Sequence, residues 1–173
     1  MTGLRPGVRR LALTAHVIAS VGWLGAVAAF LAVAIAGLES EDGQLVRAAY
    51  LVMELMGWRV IVPLGAASLV TGLVQSLGTP WGLFRHWWVV IKLLMTALAM
   101  VVLLVHMRPI GFMADMATTT ALAPHDHRAV RVQLVFDASA AFLVLLVNTG
   151  LSIYKPRGIT RYGQRRLREE RAA

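Results

Sequence analysis

A small set of polar side chains interrupts stretches that are otherwise strongly apolar: His16, Glu54, Arg59, Lys92, His106 and Asp137, with Asn148 as an uncharged addition. Imidazole nitrogens ligate haem iron or divalent cations, and carboxylates bind cations or pair with arginine. His16 shares a helical face with Ser20 and Trp23, at i, i+4 and i+7, beside small residues that leave room for a flat macrocycle. One expectation is therefore a b-type haem with His16 and His86 as axial ligands. His86 lies at the edge of its apolar run, about five residues shallower than His16, or roughly 7–8 Å along a helix. A second expectation is a zinc or copper site drawn from His106, His125, His127 and Asp137, beside Asp126. The structural alternatives are an Asp137–Arg59 or Glu54–Arg59 ion pair, and a His16 hydrogen-bonded across helices. For these residues the structural readings are preferred.

The elements that position them are membrane spans. With 58% hydrophobic residues and a mean hydropathy of +0.67, the chain is too apolar for a soluble domain of this size. Runs 11–38, 48–77, 87–107 and 132–154 each reach the about 20 apolar residues that a crossing needs. They imply an all-α membrane protein, four transmembrane helices in an antiparallel bundle. One domain, 1–155, precedes a basic tail, 156–173. The first run is longer than a signal h-region, so it is expected to remain as a helix. Absence of cysteine excludes disulfides, thiolate metal sites and c-type haem attachment. No phosphate-binding glycine loop, nucleophile elbow or pair of carboxylates at one depth points to an enzyme class.

Charge sets the orientation. Arg5, Arg9 and Arg10, then Arg85 and Lys92, then the tail KPRGITRYGQRRLREERAA would all face one side, against Arg47, Arg108, Arg128 and Arg131 on the other. The positive-inside bias gives N-in and C-in in a bacterial cytoplasmic (inner) membrane. The net charge of +8 thus reads as topology and not as nucleic-acid binding. The tail is also expected to touch anionic lipid, at about 1 kcal/mol per basic residue near the surface. In this frame His16, His86, Lys92 and Asn148 belong to the inner half, and Glu54, Arg59, His106 and Asp137 to the outer half. His16 and His106 then stand too far apart in depth to share one haem.

Ala12, Ala15, Ala19, Gly22, Ala26 and Ala29 form a stripe of small residues, and Gly65, Ser68, Gly72 and Gln75/Ser76 form another. Close backbone approach through such stripes holds helices together in lipid, so these two are expected to pack. Pro63 frees the carbonyl of Arg59 and predicts a kink. Gly78, Pro80 and Gly82 break the chain before a Trp81, Trp87 and Trp88 interfacial anchor. Segment 108–131 reads as a partly ordered outer loop.

The segments AHVIASVGWLGA, SLGTPWGLFRHWWVVIKLL and VNTGLSIYKPRG resemble a group of uncharacterised bacterial four-helix membrane proteins over most of the chain. The histidine early in the first helix, followed by Gly-Trp, also resembles the CopD-like copper-resistance membrane domain, which would imply handling of copper. Three functions are consistent with the sequence: a b-haem electron-transfer protein, a non-catalytic accessory or assembly subunit bound to a membrane-protein partner or to copies of itself, and a metal-binding or transport protein using the outer histidines.

Overall fold

The computed structural model describes residues 5–78, 83–119, 127–154 and 158–172. Pro80, Trp81 and Gly82 of the turn, His125 and Asp126 of the loop, and Lys155 and Arg157 of the tail lie outside the described residues. The elements are α1 (Pro6–Glu39), α2 (Gly43–Met56), a π-helical turn (Gly57–Ile61), α3 (Val62–Gly78), α4 (Trp87–Thr119), α5 (Arg128–Tyr154) and α6 (Arg161–Ala172). α2, the turn and α3 form one continuous rod, so four rods are long and apolar enough to cross a membrane. The chain is a multi-pass membrane protein whose apolar outer faces contact lipid.

Each rod packs on the next in sequence, and α5 closes against α1. α1 and α4 consequently occupy opposite corners of a four-rod bundle. The short α1–α2 connection is held by side-chain caps: the Asp42 carboxylate accepts from Gln44 N at 2.9 Å, and Ser40 Oγ accepts from Asp42 N at 3.0 Å. Thr160 caps α6 in the same manner, its hydroxyl accepting from Gly163 N at 3.0 Å. That hydroxyl also donates to Phe84 O, while Thr160 N donates to Arg85 O, which fastens the start of α6 to the turn before α4.

Pro63 acts differently from a simple kink. The rod widens into the π-helical turn just before it, and Val62 N donates to Gly57 O, five residues back. The lost proline donor is absorbed by a wider ring and not by a bend alone. The expected outer loop 108–131 is also corrected: α4 continues through Pro109 to Thr119. Met107, Ile110, Met113, Ala114 and Ala117 are buried at helical spacing, so the apolar stripe carries on past the first charged residue. At 33 residues α4 measures about 50 Å, against a hydrocarbon core of about 30 Å.

The end of the bundle formed by α2 and the far half of α4 is densely packed. α2 buries Val46, Ala49, Tyr50 and Met53, at i, i+3, i+4 and i+7, against Met113, Ala117 and Leu134. Arg131, expected in a surface loop, is 1% exposed here. Its Nε donates to the Tyr50 hydroxyl at 3.0 Å and its Nη2 donates to Gly37 O. The guanidinium therefore meets the C-terminal end of α1, where carbonyls lack intrahelical donors and the helix dipole is negative. A side chain at Gly37 would crowd this contact, since a Cβ there would stand 3.1 Å from Ala49 Cβ. Replacing Arg131 by Met should cost roughly 1.5–3 kcal/mol, and Tyr50→Phe about 1 kcal/mol. Thermal unfolding in detergent should rank the two variants in that order, and equal or reversed melting shifts would remove Arg131 from its place as the clamp.

Candidate functional site

Two polar seams run through the bundle. In the first, α1 meets α3 through small residues, as their stripes predicted. Ser20 and Ser68 hydroxyls lie 2.9 Å apart, and Gln75 Nε2 donates to Ala12 O at 3.0 Å. His16 Nδ1 is 3.1 Å from Ser68 O and 3.0 Å from Thr71 Oγ1. The Thr71 hydroxyl donates its own proton to Ala67 O, so both neighbours accept and Nδ1 carries the hydrogen. Gly72 lets the imidazole in, since a Cβ there would be 3.1 Å from His16 Cε1. On its Cε1 side His16 thus packs against α3 at Gly72.

The second seam lies between α4 and α5. Lys92 Nζ donates to Ser152 Oγ at 2.5 Å, and Asn148 Nδ2 donates to Thr96 Oγ1 at 2.9 Å. These rungs join the two helices near the start of α4. Further along, the seam opens into a cavity of about 320 Å³ that also reaches Trp23, Val27 and Phe30 of α1. Its lining runs from Met95 to Ile110 on α4, about 22 Å along the helix axis. Leu98 and Val102 on its rim are exposed on the outside of the bundle, so the slot opens toward lipid.

The titratable groups on the described wall are His106 and Asp137. His106 Nδ1 faces Val102 O at 2.7 Å and must carry a hydrogen, because a carbonyl only accepts. Its Nε2 lies 2.8 Å from Asp137 Oδ2. The contact is close yet imperfectly aligned, and Asp137 Oδ2 has no hydrogen-bond donor in good geometry among the described residues. Trp23, on the same wall, has a buried indole N–H with no acceptor among them.

The structure brings together two of the four residues expected for a metal. The His127 ring meets Phe112 edge-on at 5.3 Å, and His125 lies outside the described residues. Among the described residues no three His, Asp or Glu side chains gather around one point. His86 is placed at the start of α4, its backbone bridged to Ile159 and its ring 6.4 Å from Trp88, and neither it nor His16 lines the cavity. Neither Asp137 nor Glu54 is paired with Arg59, contrary to the preferred reading of an Asp137–Arg59 or Glu54–Arg59 ion pair. Arg59 is exposed on the π-helical turn, which packs on α1, α2 and α3, whereas α4 presents His106 directly to α5. The Lys92–Ser152 and Thr96–Asn148 rungs were missed, although polar residues four apart on both helices were the available signal.

No protein-family profile, no curated protein and no solved structure matches the chain. The class is defined by its own geometry: a four-rod membrane bundle with one tight seam and one open seam. Gly72→Leu should disrupt the tight seam, whereas Gly25→Leu, with nothing within 4 Å of its Cβ position, should be tolerated. The folded fraction eluting in size-exclusion chromatography reads the difference, and equal behaviour of the two variants would contradict the packing described.

Proposed function

We propose that this chain is a binding protein of the bacterial cytoplasmic membrane that takes up an apolar molecule dissolved in the bilayer. Its four spans run antiparallel with both termini in the cytoplasm. The observation carrying this reading is the lipid-facing slot between α4 and α5, with a His106–Asp137 pair on an otherwise apolar wall. Pockets of about 300–1,000 Å³ with few convergent polar groups are the usual form of small-molecule sites. Ionisable residues at membrane depth are costly and mark functional positions. Under the proposed orientation the pair lies in the outer half of the membrane, and the basic tail, including α6, lies on the cytoplasmic side against anionic lipid.

A reporter fused at the C-terminus should register inside, and an outside signal would overturn the orientation. For the binding function, protein purified in mild detergent should release a co-purified apolar molecule on solvent extraction. Ala141→Phe, which narrows the slot, should lose most of it. Equal amounts from both proteins would place the molecule elsewhere and defeat the reading.

A second reading keeps a b-type haem on His16. It is supported by the Nδ1–H held by Ser68 O and Thr71, which leaves Nε2 as the free lone pair and orients the ring as outer partners of a ligating histidine do. Absorption spectra of protein from haem-supplied cells, oxidised and then reduced, test it. A Soret band lost in His16→Ala would support haem, and a spectrum of protein absorbance alone would dismiss it.

A further inference from the structure

We propose that the slot between α4 and α5 takes an isoprenoid quinone or its quinol, an uncharged oxygen-bearing ring on an apolar tail. This rests on the apolar-ligand reading and narrows it to a chemical class. Charge comes first. No lysine or arginine lines the described wall, and the His106 imidazole already stands 2.8 Å from the Asp137 carboxyl group. A phosphate or carboxylate head would lose its water there beside a carboxyl group, with no guanidinium or ammonium to meet it. The head that fits is uncharged.

Polar complementarity comes next. The wall residue Trp23 holds a buried indole N–H without an acceptor, and Asp137 Oδ2 is buried without an aligned donor among the described residues. Buried polar groups left in this state are uncommon and costly. A ring bearing a carbonyl and a hydroxyl, or two of either, carries more than one oxygen at fixed separation. Its oxygen accepts from the indole N–H, and its hydroxyl in the quinol donates to the Asp137 carboxyl oxygen. A simple long-chain alcohol has one oxygen to offer these groups, where the quinone or quinol has two.

Shape and route agree with this assignment. The slot extends for about 22 Å along α4, which suits a chain more than a compact solute. Trp23 and Phe30 line it on the α1 side and offer aromatic contact to a flat ring. Leu98 and Val102 stand exposed at the rim, so a molecule dissolved among acyl chains enters sideways without crossing water.

The test is thermal unfolding of the full chain in mild detergent with three probes of equal tail length: a decyl-substituted benzoquinone, 1-decanol and decanoate. Binding to the folded state raises the melting temperature in a saturable manner. The benzoquinone should do so at concentrations where the other two do not. Asp137→Asn should weaken the apparent affinity by about tenfold, the effect of about one lost hydrogen bond, and Ala141→Phe should abolish the shift. Equal shifts from decanol, or a larger one from decanoate, would overturn the quinone assignment while leaving an apolar pocket in place. No shift from any probe would overturn the pocket reading itself. Should Asp137→Asn fail to fold, the comparison of the three probes on the wild-type chain decides the matter alone.

Discussion

Hydrocarbon gives a polar side chain no water to turn to, and the internal arrangement of this bundle follows from that constraint. Within the spans, polar contacts join neighbouring rods: Ser20 with Ser68, Gln75 with Ala12 O, Lys92 with Ser152, Asn148 with Thr96, and His106 beside Asp137. Each such contact fixes which residues of two helices stand at one level. Apolar packing in lipid is weakly directional, because acyl chains compete on nearly equal terms. Register is therefore set by the hydrogen bonds, and the small residues let the backbones come close enough to form them.

The two seams use this rule to opposite ends. Along α1 and α3, glycine, alanine and serine allow continuous contact, and the His16 imidazole packs against Gly72, Ser68 and Thr71. Along α4 and α5 the polar rungs are separated by larger apolar residues that do not fill the space between them. A helix pair tied near both ends of a gap keeps that gap open without needing a rigid wall. The packed end formed by α2, the far half of α4 and Arg131 adds a fixed base, so that the open seam is held by structure on either side.

The fold was largely legible in the sequence and the site only in part. Hydropathy placed the four spans, and the stripes beginning at Ala12 and Gly65 announced the α1–α3 contact. The end of α4 was misplaced because Arg108 and Pro109 read as a boundary, whereas Met113, Ala114 and Ala117 continue the buried stripe. Arg131 looked like a loop cation because its acceptors, Tyr50 and Gly37, are distant in sequence. His106 and Asp137 were both singled out, yet their pairing required knowing that α4 faces α5 at that level. A cavity is a property of how side chains fail to meet, and no spacing pattern encodes it.

The π-helical turn at Gly57–Ile61 has a consequence for the phase of its rod. A π turn carries one residue more than the α-helical turn it replaces, which offsets everything before it by about 100° of rotation relative to everything after it. That offset brings Gly65 and Ser68 onto the same side of the rod as Val46, Ala49, Tyr50 and Met53, so that both halves pack on α1 and α4. The turn is thus a fixed angular joint that keeps one buried stripe continuous along the whole rod. Loss of a single residue from it would leave composition and length nearly unchanged, yet it would set the two halves of the rod in conflict over which way to point.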